Sequence, residues 1–439
     1  MALHLPENPT GEQFEDLLAA ALRAHGYFTE SRVRLRKRKH EVLELDVLAT
    51  PLGGGPESIF EAKKETPSFE TIFKLYGQRL YLGIPAACLV SLKPIAKQHE
   101  QVFEKTAAEM GIAVCQHSPG GGTLDAVAPV KNGLDEPTRK LVTEAGWYGN
   151  IARRIAQAEF ASVTAANRKQ PPYSTARDYC FAVESSVFTK TPLGRVERLY
   201  DGYRTAGGIT GTLVEKIVNE EKVTAKSVWD EVDNTSSRLW LQFVEMVEHT
   251  ARLTIMKNAL QHLVTTGSAK VDTMTFSFGG HTGEVSGYFL PDRFVKALAK
   301  LHSHPHGPRV PYCLQFFLEA MGGMISLKDD RDTNLLAAAS GIPPKEVLGC
   351  LGLYDEMFGR EGWSWFYDTK GELRRLQLVP AFVRAIGSYL RTLLFELEDY
   401  DEMFPQMGWL LSRWHNAGYK ILQPHLEATP AATPTQGTT

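Results

Sequence analysis

The first quarter of the chain alternates between helical and extended hydrophobic patterns. Apolar residues recur at helical spacing after Thr10, a typical N-cap residue, and this helix is predicted to end near Ala24, just before Gly26. Short apolar runs predict strands at 31–35, 42–49, 58–63, 86–91 and 112–116, with helices at 67–81 and 94–110. The order α-β-β-β-α-β-α-β predicts an α/β domain with a mixed sheet flanked by helices.

The remaining chain is predicted to be mainly helical. Residues 134–263 show helical periodicity, and residues 271–289 alternate like a β-hairpin. Residues 334–351 indicate a helix, a tight turn and a second helix, and a hairpin predicted within 363–378 completes the outline of a winged helix. An amphipathic helix is predicted at 380–397.

Four regions follow from these patterns. They are an α/β domain over 1–118, a mainly helical region of unassigned role over 124–325, a winged-helix-like module over 326–425 and a disordered tail over 426–439. With 439 residues the chain exceeds the size of one ordinary core, and its length predicts two or three domains.

Composition narrows the class of protein. The chain has 43% hydrophobic and 23% charged residues, typical of a soluble globular protein, and its net charge of −3 gives no global attraction to nucleic acid. The five cysteines include no CxxC pair, which favours reduced thiols over a disulfide framework or a zinc ribbon. No leader and no membrane-spanning run is recognisable, so we expect a cytoplasmic protein.

Three charged residues on two neighbouring predicted strands carry the candidate chemistry. Glu61 and Lys63 share one strand face because alternate residues point the same way. On the preceding strand, Asp46 is predicted to share a face with Leu48 and to oppose Leu45. If the strands pair, Asp46 and Glu61 converge on one cation such as Mg²⁺, and Lys63 can orient an attacking water. The alternative is a solvated strand edge carrying a surface Glu–Lys pair.

This ordered set resembles the restriction-endonuclease-like superfamily, the PD-(D/E)xK nucleases, and in particular its Mrr-like and archaeal Holliday-junction-resolvase-like branch. The resemblance covers about the first quarter of the chain, and its motifs are the helix Phe14–Tyr27, the strand Leu45–Ala49 and the strand Phe60–Lys63. Leu45 stands where the signature has proline, and the stretch before it lacks the usual Gly/Asp-rich approach.

The resemblance implies a function and a set of site residues. It implies Mg²⁺, with Mn²⁺ as a substitute, bound by Asp46, Glu61 and Glu15. Lys63 would assist the attacking water, and Gln78 on the following helix would position a metal-bound water or a phosphate.

A basic stretch lies just before the aspartate strand. Its members, predicted to contact DNA phosphates, are Arg32, Arg34, Arg36, Lys37, Arg38 and Lys39. The alternative is a solvated strand edge whose charges block edge-to-edge aggregation.

A second motif resembles a zinc-binding site but lacks the necessary ligands. The run from His302 to Pro305 resembles the HxHP core of JAMM-type zinc isopeptidases, but Tyr312 and Gln315 occupy the places of the further ligands. Because zinc requires at least three firm protein ligands, a polar loop is the favoured interpretation.

The site residues and the resemblance together predict an Mg²⁺-dependent DNA endonuclease. The resemblance also implies a role in restriction or antiphage defence for this enzyme. Its expected partners are duplex or branched DNA, with a homodimer or a defence-system protein as further candidates. One alternative is a non-catalytic DNA-binding or regulatory protein with an inactive nuclease-like fold. A second alternative is a nuclease that acts on RNA or on branched DNA.

Overall fold

The computed structural model describes residues 10–37, 40–116, 124–189, 191–203, 208–230, 238–267, 274–278, 281–285, 291–323, 325, 330–359 and 366. Four predicted features lie outside these residues, apart from residue 366 of the second. They are the boundary at 118–123, the hairpin within 363–378, the helix at 380–397 and the tail at 426–439.

The N-terminal part has the predicted order of elements. These are α1 (Gly11–Ala24), β1 (Tyr27–Lys37), β2 (His40–Pro51), β3 (Ser58–Lys63), α2 (Phe69–Leu82), β4 (Ala86–Ser91), α3 (Glu100–Glu109) and β5 (Ile112–Gln116). The predicted cap of α1 is confirmed, because the Thr10 hydroxyl accepts the Gln13 N–H while the Gln13 side chain accepts the Thr10 N–H.

Two predicted starts differ from the structure by more than two residues. β1 begins at Tyr27 instead of residue 31, because Tyr27 and Phe28 extend the strand into the core. α3 begins at Glu100 instead of residue 94, because a turn in which the His99 N–H donates to the Ala96 carbonyl precedes it.

The five strands form one mixed sheet in the order β1-β2-β3-β4-β5. β1, β2 and β3 pair antiparallel, whereas β3, β4 and β5 pair parallel. The β2–β3 ladder is short, running only from Ala49 opposite Ser58 to Val47 opposite Phe60. The two strands therefore separate at the next residues, Asp46 and Glu61.

Helices cover both faces of the sheet. On one face, Phe14 of α1 packs with Val47 and Phe60 in a buried cluster. On the other face, Ile72 of α2 and Phe103 of α3 form a second buried cluster with strand residues that include Ile59 and Leu89. The predicted mixed sheet flanked by helices is confirmed.

The chain continues as a mostly helical region, as predicted. Its described α-helices are α4 (Leu124–Val127), α5 (Glu136–Ala166), α6 (Tyr173–Glu184), α7 (Pro192–Tyr203), α8 (Gly208–Glu221), α9 (Ala225–Asp230), α10 (Leu239–Thr266), α11 (Asp292–Ser303), α12 (Val310–Gln315), α13 (Arg331–Ser340) and α14 (Pro344–Phe358). A hairpin of β6 (Met274–Phe278) and β7 (His281–Val285) confirms the predicted one. α13 and α14 confirm the predicted helix-turn-helix, with Gly341 at φ 67° ending the first helix.

The helical region packs directly on α1. Leu17 and Ala20, on the side of α1 away from the sheet, share a buried cluster with Leu141 and Ala145 of α5. A Cβ built at Gly146 would lie 3.3 Å from the Ala20 Cβ, so this glycine lets the two helices approach closely. α1 is consequently buried between the sheet and the helices.

Polar side chains also join the two regions. The Gln315 amide accepts the Thr29 N–H at 2.9 Å and donates to the Thr29 carbonyl at 2.7 Å. Because β1 is an edge strand, these bonds satisfy backbone groups that no neighbouring strand pairs. No helix of the described residues is long and apolar enough to cross a membrane.

A buried charge network also connects the sheet to the helices. Arg195 of α7 donates to one carboxylate oxygen of Glu30 in β1, and the Lys257 Nζ in α10 lies 3.0 Å from the other. Lys257 also lies 2.8 Å from a carboxylate oxygen of Glu57, just before β3. Burial alone would raise the pKa of Glu30, but the two cations lower it to about 2.

We predict that Glu30→Gln lowers the unfolding free energy by about 3 kcal/mol at pH 7, because two buried cations lose their main anion. The pKa of Glu30 is lower in the folded state, so its stabilisation is complete above the ordinary value of 4.5 and disappears as pH falls toward 2. Urea unfolding at pH 7 and pH 3 should show a gap between the two proteins that narrows in acid. The exposed Glu215→Gln on α8 should change stability by less than about 0.5 kcal/mol. A pH-independent gap would contradict this assignment.

Candidate functional site

The candidate site lies where β2 and β3 separate. The Asp46 carboxylate accepts the backbone N–H of Ala62 at 2.8 Å, in place of the strand pairing that ended at Val47. This bond holds Asp46 against the Glu61–Lys63 segment. The Asp46 carboxylate therefore lies next to Glu61, as the sequence predicted for these two strands.

The predicted alternation of faces along β2 was wrong at one position. Leu45 and Leu48 belong to the same buried cluster, although they were placed on opposite faces. The regular pleat is interrupted here because the β2–β3 ladder ends at Val47 and because Arg32, opposite Asp46 on β1, has φ 53°.

Glu61 is a fully buried carboxylate held by two lysines. Its Oε1 lies 2.6 Å from the Nζ of Lys63 and 3.0 Å from the Nζ of Lys74, while its exposed fraction is 0%. Its Oε2 is also buried and has no hydrogen-bond partner within the described part of the chain. One oxygen of this carboxylate therefore remains to be satisfied, which is unusual for a buried charged group.

Lys74 is the site residue that the sequence interpretation missed. It precedes Gln78 by four residues on α2, and residues four apart share one side of a helix. That spacing was visible in the sequence once Gln78 had been assigned to the site. The Gln78 amide donates to the Glu44 carbonyl at 2.8 Å, and its Oε1 is buried without a hydrogen-bond partner among the described residues.

Glu15 lies on α1 beside this site and is engaged by an arginine. The Arg32 Nε is 3.5 Å from Glu15, and the same guanidinium approaches Asp16 at 3.4 Å. Burial raises the pKa of Glu15, and Arg32 opposes that rise. The structure thus brings Glu15 into the same acidic environment as Asp46.

The electrostatics of the cluster favour an added cation. Burial, followed by the negative charges of Glu61 and Glu15, raises the pKa of Asp46 to about 8. Burial alone would lower the pKa of Lys63, but Glu61 reverses that effect and raises it. Lys63 thus stays charged, yet its charge does not compensate the repulsion between Asp46 and its acidic neighbours.

Asp46 and Glu61 are the two carboxylates of this region that could hold a divalent cation of the Mg²⁺ type. No group of three or more His, Cys, Asp or Glu side chains arranged for a metal is found among the described residues. Mg²⁺, however, is commonly bound by one or two carboxylates, with waters and substrate phosphates completing its octahedron. The carboxylate of Asp46, held by the Ala62 N–H, and the unpartnered Oε2 of Glu61 supply that number of carboxylates.

Two arginines of the basic stretch form ion pairs with carboxylates of the protein itself. Arg32 contacts the acids of α1, and the Arg34 Nε lies 2.7 Å from Glu44. Arg36 and Lys37 lie at the end of β1. Arg38 and Lys39 lie outside the described residues, and DNA contact by this stretch stays a prediction.

The histidine motif forms a polar turn after α11. His304 Nδ1 accepts the His306 N–H at 3.1 Å, and the two rings approach Glu346 at 3.6 and 4.0 Å. Tyr312 is buried and donates to the Arg23 carbonyl at 2.6 Å, so it points to α1 and not to these histidines.

Comparison of the chain with family models, with curated proteins and with solved structures gives no match in any of the three.

We predict that Asp46→Asn stabilises the protein in EDTA, increasingly so as pH rises from 4 to 8. The pKa of Asp46 is raised from 3.8 to about 8, so ionisation opposes folding and the wild type loses stability across that range. Asparagine keeps an acceptor for the Ala62 N–H without the charge. Thermal unfolding of both proteins at several pH values measures the difference, and an offset that does not grow with pH would refute the electrostatic account.

Proposed function

We propose that this chain is an Mg²⁺-dependent DNA endonuclease of the restriction-endonuclease-like type, with its active site between β2, β3 and α2. The proposal is carried by one observation. Two carboxylates, Asp46 and Glu61, lie together at the point where two strands separate, with two lysines beside them. An acidic pair with adjacent cations suits hydrolysis of a phosphodiester, whose transition state gains negative charge at phosphorus.

Asp46 and Glu61 would hold the metal, which when bound supplies a Lewis acid for the phosphate and lowers the pKa of a water. Glu61 Oε2 is the oxygen of that residue best suited to the cation, since Oε1 already meets Lys63 and Lys74. The carboxylate of Asp46 is fixed by the Ala62 N–H, so the pair needs little reorganisation on binding.

Lys63 would stabilise the developing charge at phosphorus and orient the attacking water. Its side chain is 34% exposed, so it can reach a substrate while remaining paired with Glu61. Lys74 is 47% exposed and can contact a neighbouring phosphate. In the proposed reaction, water attacks phosphorus in line, the P–O3′ bond breaks and a 5′-phosphate remains.

The rest of the chain would position the substrate. The helix pair α13–α14 is the part of the proposed winged helix that lies within the described residues. All five cysteines are buried free thiols, which supports a reducing cytoplasm as the setting. Cleavage of both strands would require two such sites, as in a homodimer, and restriction or antiphage defence is the proposed role.

The test is nicking of a supercoiled plasmid with Mg²⁺ and with EDTA. We expect cleavage only with the metal. Asp46→Ala and Lys63→Ala should each reduce the rate at least about 100-fold, because the first removes a ligand of the metal and the second removes a cation that stabilises charge at the reacting phosphate. The matched control is Lys105→Ala, an exposed lysine on α3, which should cut at the wild-type rate.

Two results would contradict the proposal. If the wild type leaves plasmid, linear DNA and RNA intact with Mg²⁺ and Mn²⁺, the chain is not a nuclease. DNA binding that persists in EDTA and in Lys63→Ala would then favour the non-catalytic alternative. If both variants cut as fast as the wild type, the active site lies elsewhere.

A further inference from the structure

The outer side of α2 exposes a concentration of apolar side chains. Of the nine large hydrophobic residues that are exposed among the described residues, α2 carries four. Together with a glycine they lie along one side of the helix, since residues three, four, seven and eight positions apart share a side. We call this surface the α2 stripe, and its members are Phe69, Phe73, Gly77, Leu80 and Tyr81.

The inner side of α2 already packs on the sheet. Ile72 and Leu75 are buried in the cluster that contains Ile59 and Leu89. A surface helix normally has one apolar side and one polar side, and a helix that is apolar on both sides is normally buried on both. The α2 stripe therefore calls for a partner beyond the described part of this chain.

The area of the stripe is that of an interaction site. Phe73 is 55% exposed, and the four apolar side chains together present about 400 Å² to solvent if a whole aromatic residue presents roughly 200 Å². Patches of that size on soluble proteins often mark interaction sites. Two stripes in contact would bury about 800 Å², roughly half of a standard interface, and the residues around them supply the remainder.

Gly77 indicates that the partner is a helix. It lies in the middle of α2, where glycine destabilises a helix, and a Cβ built on it would meet no atom of the described residues within 4 Å. Packing within one copy of the chain therefore does not require glycine here. A second helix that crosses α2 at this point would explain it, because the missing side chain lets the two backbones approach closely.

The residues around Gly77 suit contact with a second copy of α2. Phe73 lies four residues before Gly77, and Tyr81 lies four residues after it. When two antiparallel copies cross at Gly77 on a two-fold axis, Phe73 of each copy faces Tyr81 of the other, which is the self-complementary pairing of a two-fold dimer. DNA is a poorer occupant, because no member of the stripe is charged and able to hold phosphates.

We propose that α2 is the interface of a homodimer, in which two copies of the α2 stripe pack antiparallel and cross at Gly77. The interface follows from the exposed side of α2 and does not depend on nuclease activity. One consequence does rest on the proposed function. Lys74 and Gln78 border the stripe and reach the candidate site, so the dimer places both sites beside the two-fold axis, where one DNA duplex can contact both.

Sedimentation velocity of the full chain, in EDTA and without DNA, tests the interface separately from nuclease activity. We expect the wild type to be dimeric at about 100 µM and to dissociate on dilution, because an interface of modest area gives moderate affinity. Phe73→Gln should raise the dimer Kd at least about 10-fold, because a central aromatic contact is lost. The matched control is Val264→Gln on α10, where the valine is 60% exposed, and it should leave the Kd unchanged.

Gly77→Gln separates a role in the dimer from a role within one copy. The described residues leave room for the new side chain, and glutamine is a better helix former than glycine, so the Tm at low protein concentration should equal or exceed the wild-type value. The dimer Kd should rise at least about 10-fold, because the side chain keeps the two backbones apart. If this variant fails to fold by circular dichroism, Phe73→Gln decides the question.

Oxidative cross-linking locates the two-fold axis. All five native cysteines are buried, so an oxidant acts mainly on a cysteine introduced at the surface. Gly77→Cys should form a disulfide-linked dimer much faster than Val264→Cys, because only a residue close to the axis meets its own counterpart at disulfide distance.

Three results would overturn the proposal. They are a wild-type chain that is monomeric at about 100 µM, a dimer whose Kd is unchanged by Gly77→Gln or by Phe73→Gln, and cross-linking of Gly77→Cys no faster than that of Val264→Cys. A chain that dimerises as described but cuts no nucleic acid would contradict the proposed function and support the interface.

Discussion

The hydrogen bond from the Ala62 N–H to the Asp46 carboxylate is the constraint on which the proposed site depends. It substitutes for a backbone pair at the place where β2 and β3 stop pairing, and it fixes one carboxylate next to the segment that carries Glu61 and Lys63. Without it, the separated strands would leave Asp46 free to turn to solvent. The end of the β2–β3 ladder is therefore the place where the acidic pocket forms.

Within the described residues, the negative charge of that pocket is not fully compensated by neighbouring cations or hydrogen bonds. Asp46 has a pKa far above the ordinary range because burial and nearby acids oppose its charge, and one oxygen of Glu61 is buried without a hydrogen bond. Proteins commonly concentrate such perturbed groups at functional sites. The lysines partly compensate Glu61, and a divalent cation would compensate both acids.

The sequence predicted the local elements of this region well because their signals are local. The cap at Thr10, the strand Ser58–Lys63 and the turn at Gly341 follow from residue chemistry within a few positions. Asp46, Glu61 and Lys63 were identified by order and alternation along two strands. The interruption of the pleat at Asp46 was not predictable, since it depends on where the β2–β3 ladder ends and on the backbone of Arg32 in another strand.

Most of the contacts that the sequence did not predict join residues that are far apart in the chain. Lys74 meets Glu61 only because α2 packs on this face of the sheet, and Gln315 meets Thr29 across more than half of the chain. The pairing of Arg32 and Arg34 with acids of α1 and β2 likewise depends on tertiary structure, although both had been grouped as DNA contacts. Side-chain chemistry alone does not indicate which carboxylate a given arginine will meet.

The most direct measurement is anomalous diffraction from a crystal of the protein soaked in Mn²⁺. The account predicts an anomalous peak between the carboxylates of Asp46 and Glu61, with Glu61 Oε2 among the ligands. A crystal in which Mn²⁺ binds elsewhere, for example at His304 and His306, and leaves the Asp46–Glu61 pair empty would contradict it.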